Sequence, residues 1–297
     1  MTTQEQAVLH DPIPWSEDRL ELGEGARWVD GRLVLVDLLA GRLLETGGDE
    51  PGPLRELYRL DRPLGAVAPV AGRPGRWLAA AGTGLALLDD GHVHPLTDLE
   101  STNPVPARMN DAVADPHGRF WAGSMTYDAT PGGGTLFRHD HPTQPAVTGL
   151  TITNGPAFDP TGTLMYLADT PLGHVDRFTV DPATGELSEQ TPFLRLTAAD
   201  GFPDGMTVDA AGNLWVALWG GHAVRRYRPD GSLDGEIRLA AAQPTSVCLG
   251  GPDLRRLFVT TANYGLAQPG PVDGALLAVD VDIAGLPAAA ASWTGRD

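Results

Sequence analysis

Four short motifs each place an oxygen-bearing side chain at nearly the same distance ahead of a predicted turn. They contain Glu24 in L-G-E-G, Asn110 in R-M-N-D, Asn154 in T-N-G-P and Asp204 in P-D-G-M. The last three lie five residues before an aspartate that opens a D-x-x-G turn, and Glu24 lies six residues before Asp30. Carboxylate and carboxamide oxygens bind hard divalent cations such as calcium, magnesium and manganese. If the four side chains meet, they form either a metal site or a polar, water-filled channel, and spacing alone favours neither.

The elements that would bring these side chains together are repeated along the chain. Turn glycines recur at positions 31, 75, 118, 162 and 212, and Arg255 is equivalent to them in a sixth unit, which gives gaps of 44, 43, 44, 50 and 43 residues. Each turn is followed by an apolar, strand-like run such as N-L-W-V-A-L, and no sustained helical periodicity separates the units. All-β repeats of roughly 40 to 50 residues are typical of a propeller with one four-stranded blade per repeat.

The sequence therefore predicts an all-β fold: a single domain over residues 1–297, built as a six-bladed β-propeller. Its four-stranded antiparallel blades would surround a central channel. We expect residues 1–20 to add a strand to the last blade and close the ring. A β-sandwich or a pair of stacked barrels is the alternative, and the regular period argues against both. The strand ahead of each turn would be the innermost one, so that four of the six blades present a polar side chain to the axis.

Asn154 has a second interpretation, because an Asn-Gly pair is by itself a strong signal for a β-hairpin turn. Pro156 follows directly, and the flanking residues read as a strand that continues through A-F-D-P. The match with Asn110 and Asp204 across the repeats favours an inner-strand position for Asn154. In that position Gly155 would let the neighbouring backbone and ligands approach closely.

The composition argues against several classes of function. With 21 basic and 38 acidic side chains the formal net charge is -17, which disfavours nucleic acid or an anionic membrane surface as partner. No apolar stretch is long enough to span a bilayer and no signal peptide is recognised, so we expect a cytoplasmic protein. The single cysteine, Cys248, lies in an apolar, strand-like context that predicts a core residue. The G-x-S-x-G elbow of serine hydrolases is absent from the sequence.

The same motifs resemble those of a known family. L-G-E-G-x-x-W, R-x-N-D, x-x-N-G and P-D-G-M followed by D-x-x-G-x-L-W-V-A are similar, in this order, to the motifs of the gluconolactonase and regucalcin (senescence marker protein) family. The resemblance covers nearly the whole chain and implies a six-bladed propeller with a divalent cation in its axial channel. It implies Glu24, Asn154 and Asp204 as metal ligands, Asp204 also as the general base, and Arg108, Asn110 and Asp128 as substrate-binding residues.

Two positions depart from the family pattern. Ala26 stands where the family usually has proline, and Asp128 is shorter than the glutamate that is common at its position.

The resemblance also implies a function. We expect one divalent cation, calcium first, with zinc, magnesium or manganese as alternatives, and a small-molecule sugar lactone as substrate. The protein would hydrolyse an aldonolactone, such as a glucono-, xylono- or arabinono-lactone, to the aldonic acid, as a monomer or weak homo-oligomer. Two alternatives stay open: a lactonase or organophosphate hydrolase for less polar substrates, and a calcium-binding, regucalcin-like regulatory protein. Arg108 and Asn110 favour an enzyme, since an ion-binding protein needs no substrate-binding side chains.

Overall fold

The structure, a computed structural model, describes residues 11–293 and 295, which form 24 strands and one 3-10 helix. The strands make six four-stranded antiparallel sheets, which are the blades of a β-propeller. A short strand, β1, covers Ile13–Pro14. The first blade contains β2 (Gly23–Val29), β3 (Arg32–Asp37), β4 (Arg42–Glu45) and β5 (Arg55–Arg59). The second contains β6 (Leu64–Val70), β7 (Arg73–Ala81), β8 (Gly84–Asp89) and β9 (His92–Asp98).

The remaining blades follow in chain order. The third contains β10 (Ala107–Ala114), β11 (Phe120–Thr126), β12 (Gly134–Arg138) and β13 (Val147–Leu150). The fourth contains β14 (Thr153–Phe158), β15 (Leu164–Asp169), β16 (His174–Val180) and β17 (Leu187–Arg195), with the 3-10 helix Thr170–Leu172 between β15 and β16. The fifth contains β18 (Phe202–Val208), β19 (Leu214–Trp219), β20 (Ala223–Tyr227) and β21 (Leu233–Arg238). The sixth contains β22 (Pro244–Gly250), β23 (Arg256–Thr261), β24 (Leu277–Asp280) and β1.

The ring is closed by the N-terminal strand. β1 pairs antiparallel with β24, placing Ile13 opposite Ala278 and Pro14 opposite Leu277. The predicted all-β, six-bladed architecture and the closing strand are therefore confirmed; residues 1–10 lie outside the described part of the chain. Within that part, no helix is long and apolar enough to cross a membrane.

The aspartates that open the D-x-x-G turns fix the start of the second strand of a blade. The carboxylate of Asp209, fully buried, accepts the backbone N–H of Asn213 at 2.9 Å and the indole N–H of Trp215 at 3.0 Å. Asp115 accepts the indole N–H of Trp121 at 3.0 Å in the equivalent arrangement. Both tryptophans are buried, as the repeats predict for residues that pack in the blades.

The hydrophobic core lies between neighbouring blades. Val34 and Val36 of β3, for example, pack with Val67 of β6 and Ala79 of β7, and all four are fully buried. Because each sheet buries both faces in this way, the blades are held in fixed positions around the axis.

Each inner strand carries a register shift close to the end at which it begins. The ladder is shifted between Glu24 and Arg27, Leu64 and Ala66, Met109 and Ala112, Asn154 and Ala157, Pro203 and Met206, and Pro244 and Ser246. Such bulges bend a strand and change the direction of its side chains. The four polar residues found by spacing lie at or inside these shifts.

Asn154 is thus a strand residue, and its interpretation as part of a hairpin turn is wrong. The glycine that follows it has a positive φ of 48°. A Cβ atom on Gly155 would lie 2.8 Å from the carbonyl oxygen of Asp204. The position therefore needs glycine both for its backbone conformation and for the close approach of β14 to β18.

Candidate functional site

Five of the six predicted site residues lie at the end of the channel where the inner strands begin, which we call the mouth. Glu24 is on β2, Arg108 and Asn110 are on β10, Asn154 is on β14 and Asp204 is on β18. Their exposed fractions are 5%, 7%, 6%, 4% and 4%, respectively. Buried polar groups of this kind need partners, so the contacts of each side chain indicate what the site can bind.

A chain of hydrogen bonds crosses from the third blade to the fifth. Nη1 of Arg108 donates to Oδ1 of Asn110 at 2.7 Å, and Nδ2 of Asn110 donates to Oδ1 of Asn154 at 2.9 Å. Nδ2 of Asn154 in turn donates to the hydroxyl of Thr170 at 2.9 Å, and that hydroxyl donates to the carbonyl oxygen of Pro203 at 2.8 Å. This series of hydrogen bonds fixes the carboxamides of Asn110 and Asn154, and it ends at the residue directly before Asp204.

The two carboxylates of the site are poorly compensated. Oε2 of Glu24 accepts the N–H of Gly25 at 3.1 Å, whereas Oδ1 of Asp204 is buried with no hydrogen-bond partner among the described residues. Burial, together with the nearby charge of Asp111, raises the pKa of Glu24 to about 8. Burial first, and then the charges of Glu24 and Asp111, raise the pKa of Asp204 well above its ordinary value.

The donor set fits a hard divalent cation. The unpartnered Oδ1 of Asp204, the carboxylate of Glu24 and the remaining lone pair on Oδ1 of Asn154 are all oxygen ligands, which calcium, magnesium and manganese prefer. Over residues 11–293 and 295, no group of three or more His, Cys, Asp or Glu side chains is arranged to hold a metal. The candidate site therefore depends on an amide ligand and lacks the nitrogen and sulfur donors typical of structural zinc sites.

Asp128, the sixth predicted residue, shares no hydrogen bond with the other five in the described part of the chain. It lies on the exposed loop between β11 and β12. Its carboxylate accepts the backbone N–H of Thr130 at 3.1 Å and the hydroxyl of Thr130 at 2.7 Å, and these bonds lower its pKa. Its contact with substrate stays a prediction.

Two residues next to the predicted site residues were missed by the sequence interpretation. Asp111, buried next to Asn110, accepts the backbone N–H of Gly155 at 3.0 Å and lies 3.8 Å from the guanidinium of Arg27. The R-M-N-D motif contains this aspartate, so a signal was present. Thr170, the second missed residue, follows β15 in a segment with no motif, and only its tertiary contacts identify it.

Two exposed tyrosines lie near the mouth. Tyr127 and Tyr264 are 55% and 49% exposed. The backbone N–H of Tyr127 donates to the carbonyl of Pro106 at 2.9 Å, and that of Tyr264 donates to the carbonyl of Glu21 at 3.0 Å. Both phenols lie close enough to Arg108 to influence its pKa, so both stand beside the strands that carry the site.

The other end of the channel is lined mainly by apolar side chains, with Arg27 as the charged one. A cavity of about 110 Å³ there is lined by Ala157, Met206 and Cys248 and by residues 286–289 of the C-terminal segment. A larger hollow of about 1070 Å³, near Arg32 and Trp77, borders the turns at the same end and contains none of the predicted site residues. The polar chemistry of the channel is therefore concentrated at the mouth.

Comparison with known proteins identifies the family of this chain. Residues 22–263 match the family described as SMP-30/Gluconolactonase/LRE-like region. Pentonolactonase XacC from Haloferax volcanii is 36% identical, over 90% of this chain and 93% of the relative. Regucalcin from Xenopus laevis is 30% identical, over 84% and 85%. A solved structure described as a calcium-binding protein, regucalcin, from Agrobacterium tumefaciens has a TM-score of 0.87 and 27% identity, covering 95% of this chain and 97% of the other. The chain therefore belongs to the SMP-30/gluconolactonase/LRE-like family.

Proposed function

We propose that this protein is a divalent-metal-dependent lactonase that opens a sugar lactone to the corresponding aldonic acid. One observation carries the proposal: a fixed row of hydrogen-bonding side chains, Arg108, Asn110 and Asn154, ends beside buried carboxylates, and one oxygen of Asp204 has no partner. The hydrogen-bonding side chains suit a polyhydroxylated substrate. The buried carboxylates suit a cation and an attacking water.

Glu24, Asn154 and Asp204 would hold the metal, with calcium as the first candidate. When bound, the cation supplies Lewis-acid polarisation of the lactone carbonyl and lowers the pKa of water. The name of the regucalcin relative as a calcium-binding protein supports calcium.

Asp204 is the proposed general base. Its Oδ1 accepts no hydrogen bond from a described residue, so this carboxylate has an oxygen available to accept the proton of an attacking water. The attacking water loses a proton to this carboxylate as its oxygen bonds to the carbonyl carbon. The ring C–O bond then breaks, and the departing ring oxygen takes the proton that Asp204 accepted, which forms the hydroxyl of the aldonic acid and restores the carboxylate.

Arg108 is the proposed stabiliser of negative charge. Its described hydrogen bonds use only Nη1, which donates to Asn110 and to the carbonyl oxygen of Met109. The guanidinium therefore has further donors for substrate oxygens, including the carbonyl oxygen as it becomes negative. Arg108 stays charged although burial lowers its pKa, because guanidinium groups do not lose their proton in proteins.

The substrate class is inferred from polarity and from relatives. A mouth formed by guanidinium, amide and phenol groups is suited to an aldonolactone such as a glucono-, xylono- or arabinono-lactone. The pentonolactonase relative supports a five-carbon sugar as one candidate. The second candidate function is calcium binding without hydrolysis, which the regucalcin relatives favour by name.

A lactone panel with and without chelator tests the proposal. Acid release from glucono-, xylono- and arabinono-lactone is measured on the chelated protein, after return of calcium, magnesium, manganese or zinc, and for Asp204→Asn. Asp230→Asn, in an exposed turn, is the control. We expect chelation and Asp204→Asn to abolish hydrolysis and Asp230→Asn to preserve it. Full activity without metal refutes the mechanism, and tight calcium binding without hydrolysis of any lactone favours the regulatory function.

A further inference from the structure

One hydroxyl group connects the two blades that carry Asn154 and Asp204. Thr170 is the first residue of the 3-10 helix that follows β15 and is partly buried. Its Oγ1 lies 2.9 Å from Nδ2 of Asn154 in the fourth blade and 2.8 Å from the carbonyl oxygen of Pro203 in the fifth. Pro203 directly precedes Asp204, so the hydroxyl contacts the surroundings of both proposed ligands.

The donors and acceptors of this group can be assigned without ambiguity. The carbonyl of Pro203 can only accept, so the single hydroxyl proton of Thr170 must point to it. Oγ1 can then only accept from Asn154, which requires the nitrogen of that carboxamide, and not its oxygen, to face Thr170.

Starting from Arg108, at the opposite end of the series of hydrogen bonds, leads to the same orientation of the Asn154 amide. Arg108 can only donate, so the atom of Asn110 that faces it must be the oxygen. The nitrogen of Asn110 then faces Asn154 and the carbonyl of Thr153, at 2.9 Å and 3.0 Å, and donates to both. Asn154 therefore presents oxygen to Asn110 and nitrogen to Thr170.

We propose that Thr170 is a positioning residue that keeps the carboxamide oxygen of Asn154 directed to the metal site. The inference rests on the metal site of the proposed function, but not on which lactone is hydrolysed. Without the hydroxyl, Nδ2 of Asn154 loses its acceptor and only the hydrogen bond from Asn110 still orients the amide, so its oxygen is held less firmly toward the cation. Groups that orient metal ligands in this way typically change metal affinity by 10- to 100-fold.

The test compares Thr170→Val, which keeps the shape but removes the hydroxyl, with Thr170→Ser, which keeps the hydroxyl. Thr191→Val, on the exposed strand β17, is the matched control. Calcium is titrated into each chelator-treated protein by isothermal calorimetry. We expect the dissociation constant to rise at least tenfold for Thr170→Val and to change less than threefold for Thr170→Ser and Thr191→Val.

Thermal unfolding of the metal-free variants separates positioning from a general structural role. We expect the unfolding temperature of metal-free Thr170→Val to stay close to that of Thr170→Ser. Unchanged calcium affinity in Thr170→Val overturns the inference, as does an equal loss in Thr170→Ser. A wild-type protein that binds none of the four candidate metals overturns the inference and the metal site together, whereas one that binds calcium but opens no lactone defeats only the lactonase proposal.

Discussion

Arg108 makes opposite contributions to metal binding and to catalysis. Its positive charge lies close enough to Glu24 and Asp204 to lower the pKa of each, and it therefore repels a cation at the same place. Its donors nevertheless fix Asn110 and are available for the substrate. We expect Arg108→Gln to bind calcium more tightly, by roughly fivefold, because a like charge is removed. We expect the same variant to lose roughly 10²- to 10³-fold in kcat, as when a stabilising donor is deleted.

Calorimetry and lactone kinetics on the same preparation check both signs. Arg59→Gln, on the exposed outer strand of the first blade, should change neither quantity. Weaker calcium binding in Arg108→Gln contradicts the charge argument, and full activity contradicts the proposed role in stabilising negative charge.

Cys248 is a buried core residue, as the sequence predicts. It is buried in β22, and burial raises the pKa of its thiol to about 12. Since the thiolate is the reactive form, we expect Ellman's reagent to modify no more than roughly a few per cent of the native protein at pH 8. Unfolding in guanidinium should expose one thiol per chain. Rapid, complete modification of the native protein would show that the cysteine is accessible and that the core assignment is wrong.

Among single residues, the sequence predicted those that lie at a nearly constant distance from a recognisable turn. Glu24, Asn110, Asn154 and Asp204 could be predicted because each precedes a turn by a nearly constant number of residues. Asp128 was inferred from resemblance, and the hydrogen bonds that turn its carboxylate to Thr130 depend on the conformation of one loop. Thr170 could not be predicted, because its acceptor, Pro203, is 33 residues away and its role exists only once two blades are adjacent.

The D-x-x-G turn recurs along the chain, and the aspartate that opens it holds the turn together by hydrogen bonds. Asp209 is fully buried and accepts hydrogen bonds from both Asn213 and Trp215. Asp209→Ala would leave the buried indole N–H of Trp215 without an acceptor. We expect this change to lower the free energy of unfolding by about 3 kcal/mol, because the hydrogen bonds to the carboxylate are lost and a buried N–H group is left without an acceptor.

Urea denaturation measures the effect, and a second turn provides the control. Asp230 also accepts the N–H of a residue two positions ahead, Ser232, but it is exposed and holds no buried side chain. Asp230→Ala should change the free energy of unfolding by at most about 0.5 kcal/mol. Similar values for the two variants would mean that the indole hydrogen bond is not the main contribution.

At the scale of elements, the period of the sequence predicted the blades but not the bulges. The turn and its second strand have a clear pattern of aspartate, glycine and apolar residues, which is local and therefore readable. The bulges leave no comparable pattern, since the shifted positions carry Gly65 in one blade and Asn110 in another. The close approach at Gly65, where a Cβ would meet the carbonyl oxygen of Asn110, arises only when neighbouring blades are packed.

The whole molecule contains an arrangement of charge that favours a bound cation over a stable metal-free state. Three buried carboxylates, Glu24, Asp111 and Asp204, are close enough to influence one another, and two guanidinium groups, Arg27 and Arg108, oppose them. With all three carboxylates ionised, three negative charges against two positive ones leave one negative charge in excess, and burial together with this excess raises the pKa of Glu24 and of Asp204. Burying unpaired charge is costly, so the fold should gain stability when a divalent cation enters.

Calcium should therefore raise the unfolding temperature, and Glu24→Gln should remove this response. At a calcium concentration of 100 times the dissociation constant, linkage predicts about 2.7 kcal/mol, or roughly 5 °C for a chain of this size. At about pH 9, above the pKa of about 8 to which burial raises Glu24, metal-free Glu24→Gln should unfold at a higher temperature than the metal-free wild type, because the substitution removes a buried charge. Scanning calorimetry with chelator and with excess calcium measures both effects, and Glu17→Gln, at an exposed position, should behave as the wild type does. Metal-free Glu24→Gln could instead be less stable than the metal-free wild type. In that case the carboxylate of Glu24 stabilises the fold directly, and the conclusion that it binds a cation at a cost to the stability of the metal-free protein is wrong.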